Sequence, residues 1–164
     1  MAGVNCTGQS PKSDGQRLTM ESFSECARKY FDFLERDYGF VQGTKPDILA
    51  ELGNSSSSVR YDAPHIFIWV HLDKNEVCVA IFAKVHTSIL RPSSKRIFGL
   101  AEILRSTSPE SLKSFPESET PDSAPRNFED FLQFYADALK RNCDALLRMD
   151  LKLLEETYRH ELME

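Results

Sequence analysis

Histidine and cysteine are the side chains through which a small protein most readily binds a metal or forms a covalent intermediate, and here they are sparse. Four cysteines (Cys6, Cys26, Cys78, Cys143) and four histidines (His65, His71, His86, His160) are scattered over 164 residues, with no CxxC pair. A zinc site needs three or four such ligands at short spacing, so no metal is expected. If residues 66–72 and 77–83 pair as a hairpin, His71 falls opposite Cys78, and two ligands alone read as a cross-strand contact. Cys26, Cys78 and Cys143 sit at apolar-patterned positions and are expected as buried free thiols. The acidic pairs Glu129-Asp130 and Glu155-Glu156 are adjacent in helical sequence and point apart, as a solvated face does, not as an acid–base couple. There is no GxSxG elbow and no GxGxxG or GxxxxGK[ST] phosphate loop. No catalytic residue and no cofactor is assigned, and the residues point away from an enzyme.

Two features remain as candidate binding sites. Lys84, Arg91, Lys95 and Arg96 lie in a stretch without an acidic residue. It could hold a phosphate or an acidic partner, or be a solvated loop; no aromatic is interleaved for base stacking. The second feature is aromatic. Phe67, Trp69, His71 and Phe82 share one face of the expected hairpin, and Trp and Phe are enriched in desolvated interface centres. That face is either covered by the C-terminal helices or the Phe98–Leu104 segment, or it is presented to a partner. The alternative use of Trp69 and His71 is to hold a small ligand or substrate.

The hairpin that positions these residues runs from Tyr61 to Val85. Two apolar runs rich in Val, Ile and Phe flank Asp73-Lys74-Asn75-Glu76 and read as strands. A two-residue loop at Lys74-Asn75 puts Leu72 opposite Val77, Val70 opposite Val79, Ile68 opposite Ile81 and Ile66 opposite Ala83. All eight side chains then share one apolar face. Val59, Tyr61 and Ala63 alternate with Arg60 and Asp62, giving a preceding strand that turns at Ala63-Pro64, with Tyr61 facing Ile66 and Val59 facing Ile68.

Residues 1–19 are polar and expected to be disordered, and Met20 is a candidate native start. Ser22 and Glu25 form a capping-box pattern for a helix over 22–38, with Phe23, Ala27, Tyr30 and Leu34 as its stripe and Gly39 as its stop. Phe40-Val41 begins a short strand, and residues 45–52 fit a short helix or a strand. Phe98 to Leu104 reads as a short helix. Residues 106–126, rich in Ser, Pro and Glu, read as a flexible loop. Asn127 caps a helical region that breaks near Met149, where Asp150 is a new N-cap.

The expectation is one α+β domain over residues 20–164: an N-terminal helix on a three- or four-stranded antiparallel meander, with C-terminal helices. The net charge of −5 fits a partner with a basic surface better than nucleic acid as the main ligand. No apolar run approaches the ~20 residues that span a bilayer, and the N-terminus lacks a signal-like apolar core, so the cytoplasm is expected. Without a secretory route the glycosylation-type tripeptides at Asn5 and Asn54 carry no meaning. The oligomeric state is not written in the sequence.

The order of features resembles a group of small uncharacterised bacterial proteins: a helix ending FLxxxYGF, a VRYxxPxxxIxVxxD-type hairpin, an FxLxEIL segment and a helical C-terminus. The matching residues are Phe33-Leu34 through Tyr38-Gly39-Phe40, Val59-Arg60-Tyr61, Ile68 to Asp73, and Phe98 to Leu104. Some members of that group are taken as immunity proteins in polymorphic-toxin systems. The resemblance thus implies a non-catalytic protein-binding role and carries over no catalytic residue. The insert at Ser106–Arg126 departs from the compact pattern. A structural or oligomerising subunit is the remaining alternative.

Overall fold

β-branched and aromatic residues dominate 58–83, and they form the centre of the structure. In a computed structural model, residues 20–43, 57–73, 76–91, 96–116 and 128–163 are described. The first element is helix α1 (Met20–Tyr38). Strands β1 (Val41–Gly43), β2 (Ser58–Asp62), β3 (Ile66–Asp73), β4 (Glu76–Ala83) and β5 (Ile97–Gly99) then form an antiparallel sheet in simple sequence order. Helix α2 (Leu100–Thr107) and a 3-10 turn (Pro109–Ser114) come next, followed by α3 (Phe128–Asn142), α4 (Asp144–Leu147) and α5 (Lys152–Glu161). The protein is α+β, as expected, with five strands in place of three or four.

The β3–β4 ladder has the expected register, from Ile66↔Ala83 to Asp73↔Glu76. The β2–β3 ladder is shifted by two residues from expectation: Tyr61 pairs with Ile68 and Val59 with Val70. The Ala63 N–H donates to the Ile66 carbonyl, leaving Pro64-His65 as a two-residue connection. Pro64 has no N–H to satisfy and its φ is already set for a turn, so the tighter loop is favoured. Because the shift is two, Val59 and Tyr61 stay on the apolar face.

That face is the core. Val59, Tyr61, Ile66, Ile68, Val70, Val79, Ile81 and Phe98 pack with Phe23, Phe31 and Leu34 of α1, Ile103 and Leu104 of α2, Leu132 and Leu139 of α3, and Leu154 of α5. The Phe31 and Tyr61 rings stack at 6.4 Å. α1 already includes Met20, so Ser22 lies within the helix and not at its cap. At the other end Gly39 has φ 72° and donates to the Glu35 carbonyl, and Phe40 donates to that of Leu34. Phe40 is buried behind this turn, the left-handed stop that glycine makes without steric cost.

Three further differences have local causes. Phe98 to Leu104 is not one helix: Ile97–Gly99 pairs with Ala80–Phe82, and the helix starts at Leu100. There the Glu102 carboxylate accepts from the Gly99 N–H at 3.2 Å, as a reaching-back N3 glutamate does. The expected flexible loop begins as structure, with Ser106 and Thr107 in α2 and Pro109–Ser114 in the 3-10 turn. It is anchored by Phe115, whose ring meets Phe131, Phe134 and Tyr135 edge-on at 5.1–5.8 Å. The break near Met149 is present, with Met149 at φ 72°, but the region is three helices and not two, being interrupted also at Cys143 between α3 and α4. The N-cap of α5 is Leu151 and not Asp150, although the Asp150 carboxylate accepts from the Lys152 N–H at 3.1 Å from one position earlier. The expected tail 1–19, residues 45–52, the Lys74-Asn75 tip and Asn127 lie outside the described residues.

Candidate functional site

Strand alternation sends Arg60 and Asp62, then Phe67, Trp69 and His71, then Cys78, Ala80 and Phe82 to the face opposite the core. None of these belongs to the core cluster, although Phe67 is 8% exposed. The helices pack on the other side. The segments expected to cover the aromatic face, the C-terminal helices and Phe98–Leu104, instead supply the core: Phe98 and Leu104 are fully buried in it.

The rings on this open face stack on one another. Phe67 and Phe82 lie at 4.6 Å between centroids with planes 16° apart. The Arg60 guanidinium sits over Phe67 at 4.0 Å, and that of Arg96 over Phe82 at 5.3 Å. Four neighbouring strands or their ends thus contribute an Arg–Phe–Phe–Arg row, an arrangement held by ring quadrupoles and guanidinium charge. Next to it Trp69 stacks on His71 at 3.9 Å. With both outer faces of the phenylalanine pair occupied, the row offers ring edges, not open π-faces of the kind that hold nucleobases.

Arg60 and Trp69 are direct cross-strand neighbours, and among the described residues neither Arg60 Nε nor Trp69 Nε1 has a hydrogen-bond partner. A shielded N–H without an acceptor costs about 1–3 kcal/mol, so this side of the sheet is not at its polar optimum. Burial lowers the His71 pKa, with Asp73 opposing, so the ring is neutral at pH 7. Burial also raises the Cys78 pKa, helped by Glu76 and Asp73, which keeps that thiol protonated and a poor nucleophile. His71 and Cys78 are paired as expected. Among the described residues, no group of three His, Cys, Asp or Glu side chains is placed to hold a metal ion.

The basic residues do not converge into an anion cradle. Lys84 Nζ donates to the Ala63 carbonyl at 2.9 Å and to Asp62 at 3.3 Å. Asp62 also receives Arg60 Nη2 at 2.7 Å. Arg96 Nε donates to the Ala83 carbonyl at 3.1 Å. Arg91 lies away from them in a turn organised by the Thr87 hydroxyl, which accepts from the Ile89 and Leu90 N–H groups. Lys95 lies outside the described residues. Lys84 and Arg96 therefore form one cationic end of the open face, and Arg60 stands mid-strand beside Trp69. The sequence reading missed Arg60, although its alternation with Val59 and Tyr61 was the available signal. Gly43 pairs with Arg60, and a Cβ there would run into the Asp62 carboxylate.

Away from the sheet, α1 is tied to the C-terminal helices by two tyrosines. Tyr30 OH donates to Glu129 at 3.1 Å, and Tyr38 OH to Asp144 at 2.7 Å. Cys26 donates to the same Glu129, so this carboxylate is a helix–helix link and not simply part of a solvated face. Of the thiols expected to be buried, Cys143 is, with its pKa pushed up to about 12 by burial, while Cys26 and Cys78 are half-buried. A groove of about 330 Å³ runs between the 3-10 turn and α3, lined by Ser111, Ser114, Asp130, Gln133, Asp137 and Arg141 among others, and it does not reach His71. No described helix is long and apolar enough to cross a membrane. No family model, curated protein or solved structure matches the chain.

Proposed function

We propose that this protein is a non-catalytic, cytoplasmic protein-binding module that blocks its partner by occlusion, in the manner of a bacterial immunity protein. The observation that carries the reading is the face of the sheet that no described helix covers. Helices α1, α2 and α3 pack on one face and leave the other with the sole tryptophan, two stacked phenylalanines and three cationic side chains. Aromatics with arginine at the rim are the composition of an interface centre. The immunity role rests on the sequence resemblance alone.

The test is binding to the product of a neighbouring toxin reading frame, measured by calorimetry for the parent chain and for Trp69→Ala and Phe67→Ala. Each substitution is expected to weaken binding at least about tenfold, the scale of a moderate hot spot. Circular dichroism checks that each variant remains folded. Equal affinities in folded variants would remove this face from the account.

A further inference from the structure

Charge is divided along the open face. One end carries Lys84 and Arg96 against the single carboxylate of Asp62, while Arg60 stands mid-strand beside Trp69. At the other end Asp73 and Glu76 are paired across the hairpin, and both are exposed. β3 runs seven steps from Ile66 to Asp73, about 23 Å at strand rise. That is more than twice the ~8 Å screening length of physiological salt, so the two ends do not neutralise each other within one molecule. The middle is apolar and aromatic: Phe67, Trp69, Ala80 and Phe82.

We propose that the occupant of this face is the same face of a second copy, the two sheets stacked about a two-fold axis that crosses the strands near the Trp69–Ala80 pair. The inference rests on reading the open face as a protein interface: a second copy holds the face in the free protein, and the partner of the proposed function would displace it. Charge selects the orientation. An axis along the strands would set cationic end on cationic end. An axis across them sets Lys84 and Arg96 over Asp73 and Glu76 of the second copy, twice by symmetry, and brings Phe67 over His71 of that copy. This is an isologous contact between two aligned sheets about 10 Å apart. Strands β2 to β5 give a footprint of roughly 400 Å², about half of a standard interface per partner, so the dimer is weak and forms with rising concentration.

The single tryptophan makes the test specific, since intrinsic indole emission reports Trp69 alone. The full chain is followed by sedimentation velocity and by Trp69 emission over a hundredfold range of concentration. A monomer–dimer equilibrium is expected, with emission moving to the blue as the dimer forms. Glu76→Lys and Arg96→Glu, each checked for fold by circular dichroism, should each weaken the dimer by about threefold to tenfold, the effect of losing attraction between rim charges. The double variant should recover the parental constant, a restoration that general destabilisation cannot produce. A dimer indifferent to both reversals overturns the proposal by placing the contact elsewhere. A chain that stays monomeric with solvent-exposed Trp69 emission also overturns it, while leaving the face free for a different protein. Buried, concentration-independent emission from a monomer sinks both this proposal and the interface reading beneath it.

Discussion

The two faces of the sheet are built from the same strands by strict alternation, yet they solve different problems. On the core face Ile66, Ile68, Val70 and Ile81 are 0% exposed, each packed between strand neighbours and helices. On the open face the contacts of Phe67, Trp69, His71 and Phe82 among the described residues are lateral, ring on ring or ring under guanidinium. Helices supply the third dimension of packing on one side, while the other stabilises itself within a single layer. A surface of that kind can lose a side chain without opening a cavity. Stability and recognition are thereby assigned to alternate residues of one strand.

Paired truncations test this division most strongly. Ile68→Ala should cost about 3 kcal/mol, the usual range for a fully enclosed aliphatic side chain. Trp69→Ala, one residue along, should cost about 1–2 kcal/mol although it removes more atoms, because Trp69 is only half-buried and lies outside the helix-covered core. Urea denaturation of both variants measures the contrast, and equal losses would show that the open face is core after all. A smaller effect is expected inside the core. Tyr61 is 1% exposed, its hydroxyl has no partner among the described residues, and burial pushes its pKa up. Tyr61→Phe removes only that hydroxyl and should leave stability unchanged or raise it by up to about 1 kcal/mol. A clear loss would reveal a hydrogen bond on the side that should have none.

The smallest effect concerns His71. Its folded pKa lies below the ordinary value of 6.5, chiefly through burial. Above pH 6.5 the ring is neutral in both folded and unfolded chains, and the stability it permits is fully present. As pH falls below 6.5 the unfolded chain takes up a proton that the folded one resists. Stability declines until the pH passes the folded value. Melting curves between pH 7.5 and 5 should show that decline, and His71→Gln should flatten it; an unchanged slope would place the titration elsewhere.

Much of this arrangement was legible in the sequence where period and turn chemistry agree. The β3–β4 register followed from Leu72, Val70, Ile68 and Ile66 matching Val77, Val79, Ile81 and Ala83 on one face. The α1 stop followed from Gly39, and the late break from Asp150. The β2 offset was hidden because a shift of two preserves the face, so no hydrophobic pattern can detect it. β5 was hidden because Leu100, Ile103 and Leu104 satisfy a helical spacing that runs on directly from Phe98, and only Gly99 marks the change. The ordered start of the Pro-rich stretch depends on Phe115 finding Phe131, Phe134 and Tyr135, which is tertiary information. At the candidate site the four aromatic and imidazole residues were readable as one group. Their stacking with Arg60 and Arg96, and the neutralisation of Lys84 by Asp62, were not.

The tyrosine anchors of α1 have a consequence for how the chain is made. Tyr30 must wait for Glu129, 99 residues downstream, before its hydrogen bond exists. At ordinary translation speeds that is on the order of 5–20 s. During that interval on the ribosome, Phe31 has Phe33 and then the β2 tyrosine to rest on, while Phe23 lacks Phe128, the ring that later meets it edge-on at 5.4 Å. The nascent chain therefore carries a half-seated greasy helix for most of its synthesis, which makes it a natural client for chaperones that hold such segments.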